Sequence, residues 1–434
     1  MVRWPHRFHS ASILSAVVLF LAVASLLVSS CGERERANPL DPLNPETGGS
    51  PPGFQTLALD GRVELRWSPL QLQGLTGYNA YRRERTERTG GLFQLLEGSP
   101  FSSGLGRTTD SSVTNGTTYE YKLVPLIQEH GEGTSSPVLA ATPGPHFAVA
   151  SDGWSGLVRK FSADMRASLW SVGGLYYPFS VASNGADVWV TDLYAGLFRL
   201  TGEGALLWGR VGFLLPVWVS VTAGGRSAVV DQVSAAVTVF SPDGATEATI
   251  TEGLEGPTCA SFGPQGELWV ADPVAGSVRK YSSSGSLVGS FTSCLQPRFL
   301  DVEMGTGVCW VGDVETSELI RLSPEANELA RVSSFSSVTA LEVDEYSGGC
   351  WLGDGDREEI VHVSGEGEIL FRAGRVGRIV HIYVAADDGS VWLADRKGRL
   401  LALTKGGKII SSTTISGSPT SVTVLRESRQ ALSQ

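Results

Sequence analysis

The sequence is short of charge. Only 18% of its 434 residues are Asp, Glu, Lys or Arg, and acids outnumber bases to give a formal charge of −11. Such a balance repels nucleic acid and anionic headgroups, so no nucleic-acid partner is expected. Five Cys are present and no Cys-x-x-Cys, which sets aside a zinc or thioredoxin-like site. Three Met, and no long Ala/Glu/Lys/Leu pattern beyond the N-terminus, leave no long helix to propose. Glycine, by contrast, is abundant at 52 residues, and 42% of the chain is hydrophobic. Many glycines with little charge suit an all-β protein full of tight turns, because glycine reaches the positive φ such turns need. The length exceeds one ordinary domain of roughly 100–200 residues.

The N-terminus has the layout of an export signal. Arg3 and Arg7 precede an apolar stretch from Ile13 to Val28, which is 16 residues long. That is shorter than the ~20 residues a spanning helix needs, and small residues follow it. Val28-Ser29-Ser30-Cys31 resembles the bacterial lipobox. The resemblance implies cleavage after residue 30 and acylation of Cys31, with a membrane anchor supplied by lipid at about 0.8 kcal/mol per buried CH₂. Gly32 in place of Asp points to the outer membrane. Residues 1–30 carry two Arg and no acid, so their removal takes the formal charge from −11 to −13.

Residues 31–50 form a tether, in which Pro39, Pro42 and Pro45 forbid helix and favour an extended spacer. Residues 51–143 alternate as strands do. Val63, Leu65 and Trp67 fall on one face, and Arg62, Glu64 and Arg66 on the other. Pro51-Pro52, Trp67, Gly77-Tyr78, Asn115 to Tyr121 and Ser135-Ser136-Pro137 together resemble a fibronectin type III domain. That resemblance implies a β-sandwich with Tyr119 as its tyrosine corner, serving as a spacer.

From residue 144 to 426 the chain is periodic. A short apolar strand recurs and ends in Asp, at positions 152, 192, 231, 272, 313, 354 and 395. Successive separations are 40, 39, 41, 41, 41 and 41 residues. Units of that length, each with four short strands, are propeller blades. The first unit starts directly at Phe147 and lacks a first strand, while Pro419 to Val424 forms a surplus one after the seventh unit. The expected fold is therefore all-β: a sandwich, then a seven-bladed β-propeller closed by the C-terminal strand, with a short tail at 427–434. Asp152, Asp192, Asp231, Asp272, Asp313, Asp354 and Asp395 are read as structural, each closing the turn into the third strand rather than holding metal. Trp189, Trp269, Trp310, Trp351 and Trp392, three residues before their Asp, are expected to fill the space between blades. Cys309 and Cys350 are equivalent in neighbouring units, beyond the ~7 Å that a disulfide tolerates, and buried free thiols are preferred. Cys259–Cys294 is the less improbable bridge. The repeats resemble the NHL-like and streptogramin-lyase-like propellers, best over Gly256 to Tyr281, although the Asn-x-Arg common after the Asp in NHL repeats is missing.

Positions at the start of each first strand should line the central channel: Phe179, Val217, Thr258, Arg298, Thr339, Val380 and Thr420, with His381 beside Val380. Arg298, His381, Phe179 and Thr339 are the candidate binding residues. His146, His362 and His381 share no repeat position, and no phosphate loop or nucleophile elbow occurs. No catalytic residue, metal or cofactor is assigned. The function expected is a lipid-anchored envelope protein whose propeller binds a protein, peptide or glycan. The alternative is a streptogramin-lyase-like or lactonase-like enzyme with an unrecognised metal site.

Overall fold

The computed structural model describes residues 41, 44, 49–85 and 91–427. Cys31, the export signal, most of the tether and the tail beyond residue 427 lie outside the described residues. Among those described there is no helix. By internal contact the chain forms two compact units. One comprises the chain up to Gln55, Leu65–Thr108 and Tyr119–Ala140, and the other Thr56–Glu64, Thr109–Thr118 and Ala141 onward.

In the first unit, Leu75–Glu84 pairs antiparallel with Tyr119–Ile127 at the centre of a six-stranded sheet. Gln55–Leu59, Arg62–Arg66 and Arg107–Asp110 form a separate three-stranded sheet, most of whose residues are counted with the second unit. The alternation seen in the sequence is realised: Val63, Leu65 and Trp67 are buried, and Arg62, Glu64 and Arg66 are not. Trp67 meets Tyr78 edge-on at 5.5 Å between ring centres. The Tyr78 hydroxyl accepts the Leu70 amide at 2.6 Å, so the buried ring keeps a partner for its polar end.

The second unit holds seven four-stranded antiparallel sheets. Six of them use consecutive strands. In the fourth sheet these are Cys259–Phe262, Leu268–Asp272, Ser277–Tyr281 and Leu287–Phe291. The remaining sheet takes its innermost strand from the far end of the chain. Pro419–Arg426 pairs antiparallel with His146–Asp152, with Phe147 opposite Leu425 and Val149 opposite Thr423. This places the surplus strand where the sequence lacked one, and covers what would be an open sheet edge.

Each Asp-ending strand is buried along its whole length, because sheets pack against both of its faces. The tryptophans carry much of that packing. Trp269 lies in one cluster with Leu300, Val311 and Ile320 of the next sheet, and Trp310 in another with Val338, Leu341 and Leu352. Trp392 of the last sheet packs with Ala148, Ala150 and Phe161 of the first. Large-to-small changes at such sites cost about 3–5 kcal/mol. Cys259, Cys294, Cys309 and Cys350 are free thiols, all buried. Burial pushes the Cys294 thiol up to about 12, so it stays protonated.

The recurring Asp does more than close one turn. Asp272 accepts the amides of Val274 and Ala275 in the turn after its own strand, at 3.1 and 2.9 Å. It also accepts those of Glu255 and Gly256, in the loop leading into the first strand, at 2.6 and 3.1 Å. Asp192 does the same for Tyr194 and Ala195 on one side and Tyr176 and Tyr177 on the other. Asp231 and Asp313 repeat the pattern. The other three vary it. Asp152 holds Ser155 and Ser418, Asp354 holds Ser336 and Ser337 with Arg357 and Arg372 nearby, and Asp395 holds Lys397 and Arg399. The turn role was read from sequence, and the second attachment was not.

Two outcomes follow from these carboxylates. Asp272→Ala strands four amides and is expected to cost about 3 kcal/mol or more in urea unfolding, with Asp272→Asn costing about half as much. A loss below about 1 kcal/mol for the Ala variant would mean that water replaces the carboxylate at no penalty. At Asp231 burial opposes ionisation, but hydrogen bonds from Ser234, Leu214 and Leu215 outweigh it and hold the pKa below its ordinary 3.8. The stability it contributes is therefore full above the unfolded value and lost as pH falls through the lower folded one. Asp231→Asn should be destabilising at pH 7 and should flatten the fall in stability below about pH 4.

Candidate functional site

The first strands of six of the seven sheets share a local irregularity that shapes the centre of the second unit. In five of them the pairing skips one residue near the start: Phe179, Val217, Arg298, Thr339 and Val380 each fall between two paired neighbours. Thr420 is skipped in the same way where the C-terminal strand pairs with the first sheet. A residue added to one strand of a pair is a β-bulge, which breaks the alternation and re-aims side chains. All six bulge residues, together with Thr258, line one cavity of about 880 Å³. Every sheet contributes to its wall.

The four candidate binding residues are thus brought to one cavity. Phe179 stacks on Tyr177 with 6.4 Å between ring centres. The Thr339 hydroxyl donates back to the Gly353 carbonyl at 3.3 Å, so much of its polarity is spent within the sheet. Arg298 is exposed, and among the described residues no carboxylate pairs with it. His381 packs beside Trp218, ring centres 5.5 Å apart. Burial pushes its pKa down to about 4, against a backbone hydrogen bond at Val422, so the ring is neutral at pH 7.

Sequence reasoning missed two further arginines on this wall, Arg378 and Arg396. Arg378 lies two residues before Val380, as Tyr177 and Leu215 lie two before their own bulge residues. Arg396 directly follows Asp395, as Leu193, Gln232 and Val314 follow their Asp, and all of these line the cavity. The position after each Asp was the available signal. Arg378 is held by Asp356 at 2.9 Å, whereas Arg396 has no carboxylate partner among the described residues.

A second cavity of about 300 Å³ lies at the other end of the same strands. Trp218 and His381 line both, so they stand between the two. The chemistry here is reversed: Asp301, Glu342 and Glu345 line this end, and no Lys or Arg does. Burial first, and then the charges of Asp301 and Glu345, raise the Glu342 pKa well above the usual carboxylate range. Asp301 is raised by burial, although Ser261 at 2.7 Å and the amides of Val302 and Val343 oppose this.

Of the other two histidines, neither lines a cavity. His362 stacks on Trp351 at 4.3 Å, and its Nε2 lies 3.1 Å from Asp344. His146 lies between Asp387 and Asp388, at 3.0 and 3.6 Å. These three are the one described group with metal-ligand spacing. Arg426 also pairs with Asp387 at 2.6 Å, and the two nitrogens of the buried His146 ring face different carboxylates.

No family model matches the chain, and no curated protein matches it. Solved structures do resemble it. A protein of Bacteroides fragilis described as a candidate 6-phosphogluconolactonase aligns at a TM-score of 0.53 and 12% identity, over 65% of this chain and 98% of that one. A streptogramin B lyase aligns at 0.50 and 12%, over 63% and 88%. Citrobacter koseri AztD aligns at 0.51 and 12%, over 65% and 98%. At such identity the likeness speaks for fold alone. Together with the repeated four-stranded sheets, it makes the second unit a β-propeller.

Proposed function

We propose that this chain is an exported lipoprotein, anchored in the bacterial envelope, outer membrane favoured, through lipid on Cys31. Its fibronectin-type-III-like domain is a spacer. Its seven sheets are the blades of one closed propeller, a reading supported by the packing of Trp392 against the first sheet and by the pairing of the C-terminal strand. The propeller is a binding platform for a protein, peptide or glycan. The observation that carries this is the cavity of about 880 Å³ with residues from every sheet on its wall. Its volume is that of a ligand site, and its wall mixes apolar side chains with polar and basic ones in similar measure. The second reading, a lyase or lactonase-type enzyme, rests on one observation, the neutral His381 in the channel. A general base of that kind works best when a partner group orients it, and no carboxylate shares the wall of the larger cavity.

Two experiments test these proposals. Palmitate labelling should mark the native chain and not Cys31→Ser, which should also move to the soluble fraction. A label that persists in the variant contradicts the anchor. A photo-crosslinker at Thr339, on the cavity wall, should give a discrete adduct in envelopes, and one at Leu287, on an outer strand, should not. Equal adducts at both positions contradict a cavity-centred platform.

A further inference from the structure

The two ends of the channel differ in their ionisable groups, bases at one and acids at the other. The first strands run from one cavity to the other: Arg298 precedes Asp301 in one strand, and Thr339 precedes Glu342 in another. Three arginines line the end at which the strands start, and three carboxylates line the end at which they finish. Asp356 offsets Arg378, which leaves Arg298 and Arg396 as guanidiniums without a counter-charge. This occurs in a chain whose formal charge is −11. The recurring Asp carboxylates also lie near the strand starts, but they are almost wholly buried, and backbone amides already occupy them. Two arginines without a carboxylate partner thus face one concave wall.

We infer that the basic end binds a small organic anion with an apolar body, such as a carboxylate, sulfonate or phosphate ester. This deepens the platform reading and rests on it. The anionic group meets Arg298 and Arg396, whose planar forks suit oxyanions. The apolar body lies on Phe179, Val217 and Val380, which face the same cavity. Low-dielectric walls focus the field of the arginines into the cavity and strengthen it there. Beyond Trp218 and His381 the opposite end offers an anion no cation, only the carboxyl groups of Asp301, Glu342 and Glu345. Among the described lining residues, the cations that could hold an anion are thus at one end alone.

The test is calorimetric titration of the full chain in mild detergent, with detergent alone as the blank. Naphthalene-1-sulfonate is the anionic probe, and 1-naphthalenemethanol is the neutral probe of similar shape. The sulfonate should bind once per chain, and Arg298→Gln and Arg396→Gln should each weaken it on the order of tenfold, the loss of one charge-assisted contact. Arg298→Lys should recover part of that loss. The alcohol should bind at least tenfold more weakly than the sulfonate and be indifferent to both Gln changes. Thermal unfolding at the native temperature in each variant shows that the fold is intact. Equal binding of the two probes, or sulfonate binding unmoved in both Gln variants, overturns the anion inference and leaves the cavity as a binding site. Binding of neither probe overturns the anion inference as well, and crosslinking at Thr339 then decides the platform reading separately.

Discussion

The structure of the propeller unit depends on a carboxylate buried at the end of every second strand. In five of the seven sheets it ties the turn after that strand and the loop into the first strand to the same two oxygens, while Asp354 holds amides of the loop alone and Asp395 amides of the turn alone. The residues so held are the ones that reach the channel. Asp192 fixes the amide of Tyr177, Asp231 that of Leu215, Asp354 that of Ser337 and Asp152 that of Ser418, and all four side chains line the larger cavity. The same Asp sets the position of the residue after it, which gives the wall Leu193, Gln232, Val314 and Arg396. A group that reads as structural in the sequence is therefore also what shapes the site. A buried charge of this kind is tolerated because several amides satisfy it at once.

Much of the fold was legible in the chain. The spacing of the Asp marks the sheets, the Trp three residues earlier marks the packing between them, and the missing and surplus strands name their own pairing. These signals work because each repeat must solve the same packing problem, so the solution recurs in the same place. The site was legible only in part. The bulge residues could be named from their position near the start of the strand, but a two-residue period could not follow the side chains beyond the bulge, because an extra residue resets the alternation. Arg378 and Arg396 sit in connections, and the one mark in the repeat is the Asp that directly precedes Arg396. Asp301 and Glu342 look like ordinary outward charges until the sheets are assembled and their strands turn inward to the axis. The polarity of the channel is a property of that assembly, summed over strands far apart in sequence.

That polarity also bears on what kind of molecule this is. Recurring geometry builds the scaffold, while the chemistry of the channel comes from single residues that break the repeat: Arg298, Arg378, Arg396, Trp218 and His381. Similar folds are known as a streptogramin B lyase and a candidate lactonase. At 12% identity their chemistry does not transfer, since function lives in the site and not in the scaffold. The site here sets apolar patches and hydroxyls beside arginines that have no carboxylate partner, a combination suited to holding a ligand.

The central claim is that in five of the seven sheets one carboxylate holds both the outer turn and the loop that forms the cavity rim. Amide hydrogen exchange on Asp192→Ala tests it most directly. The account predicts that protection falls together at Tyr194 and Ala195 in the turn and at Tyr176 and Tyr177 in the rim loop, while the strand Val188–Asp192 stays protected. Loss confined to Tyr194 and Ala195, with Tyr176 and Tyr177 as protected as before, would contradict it.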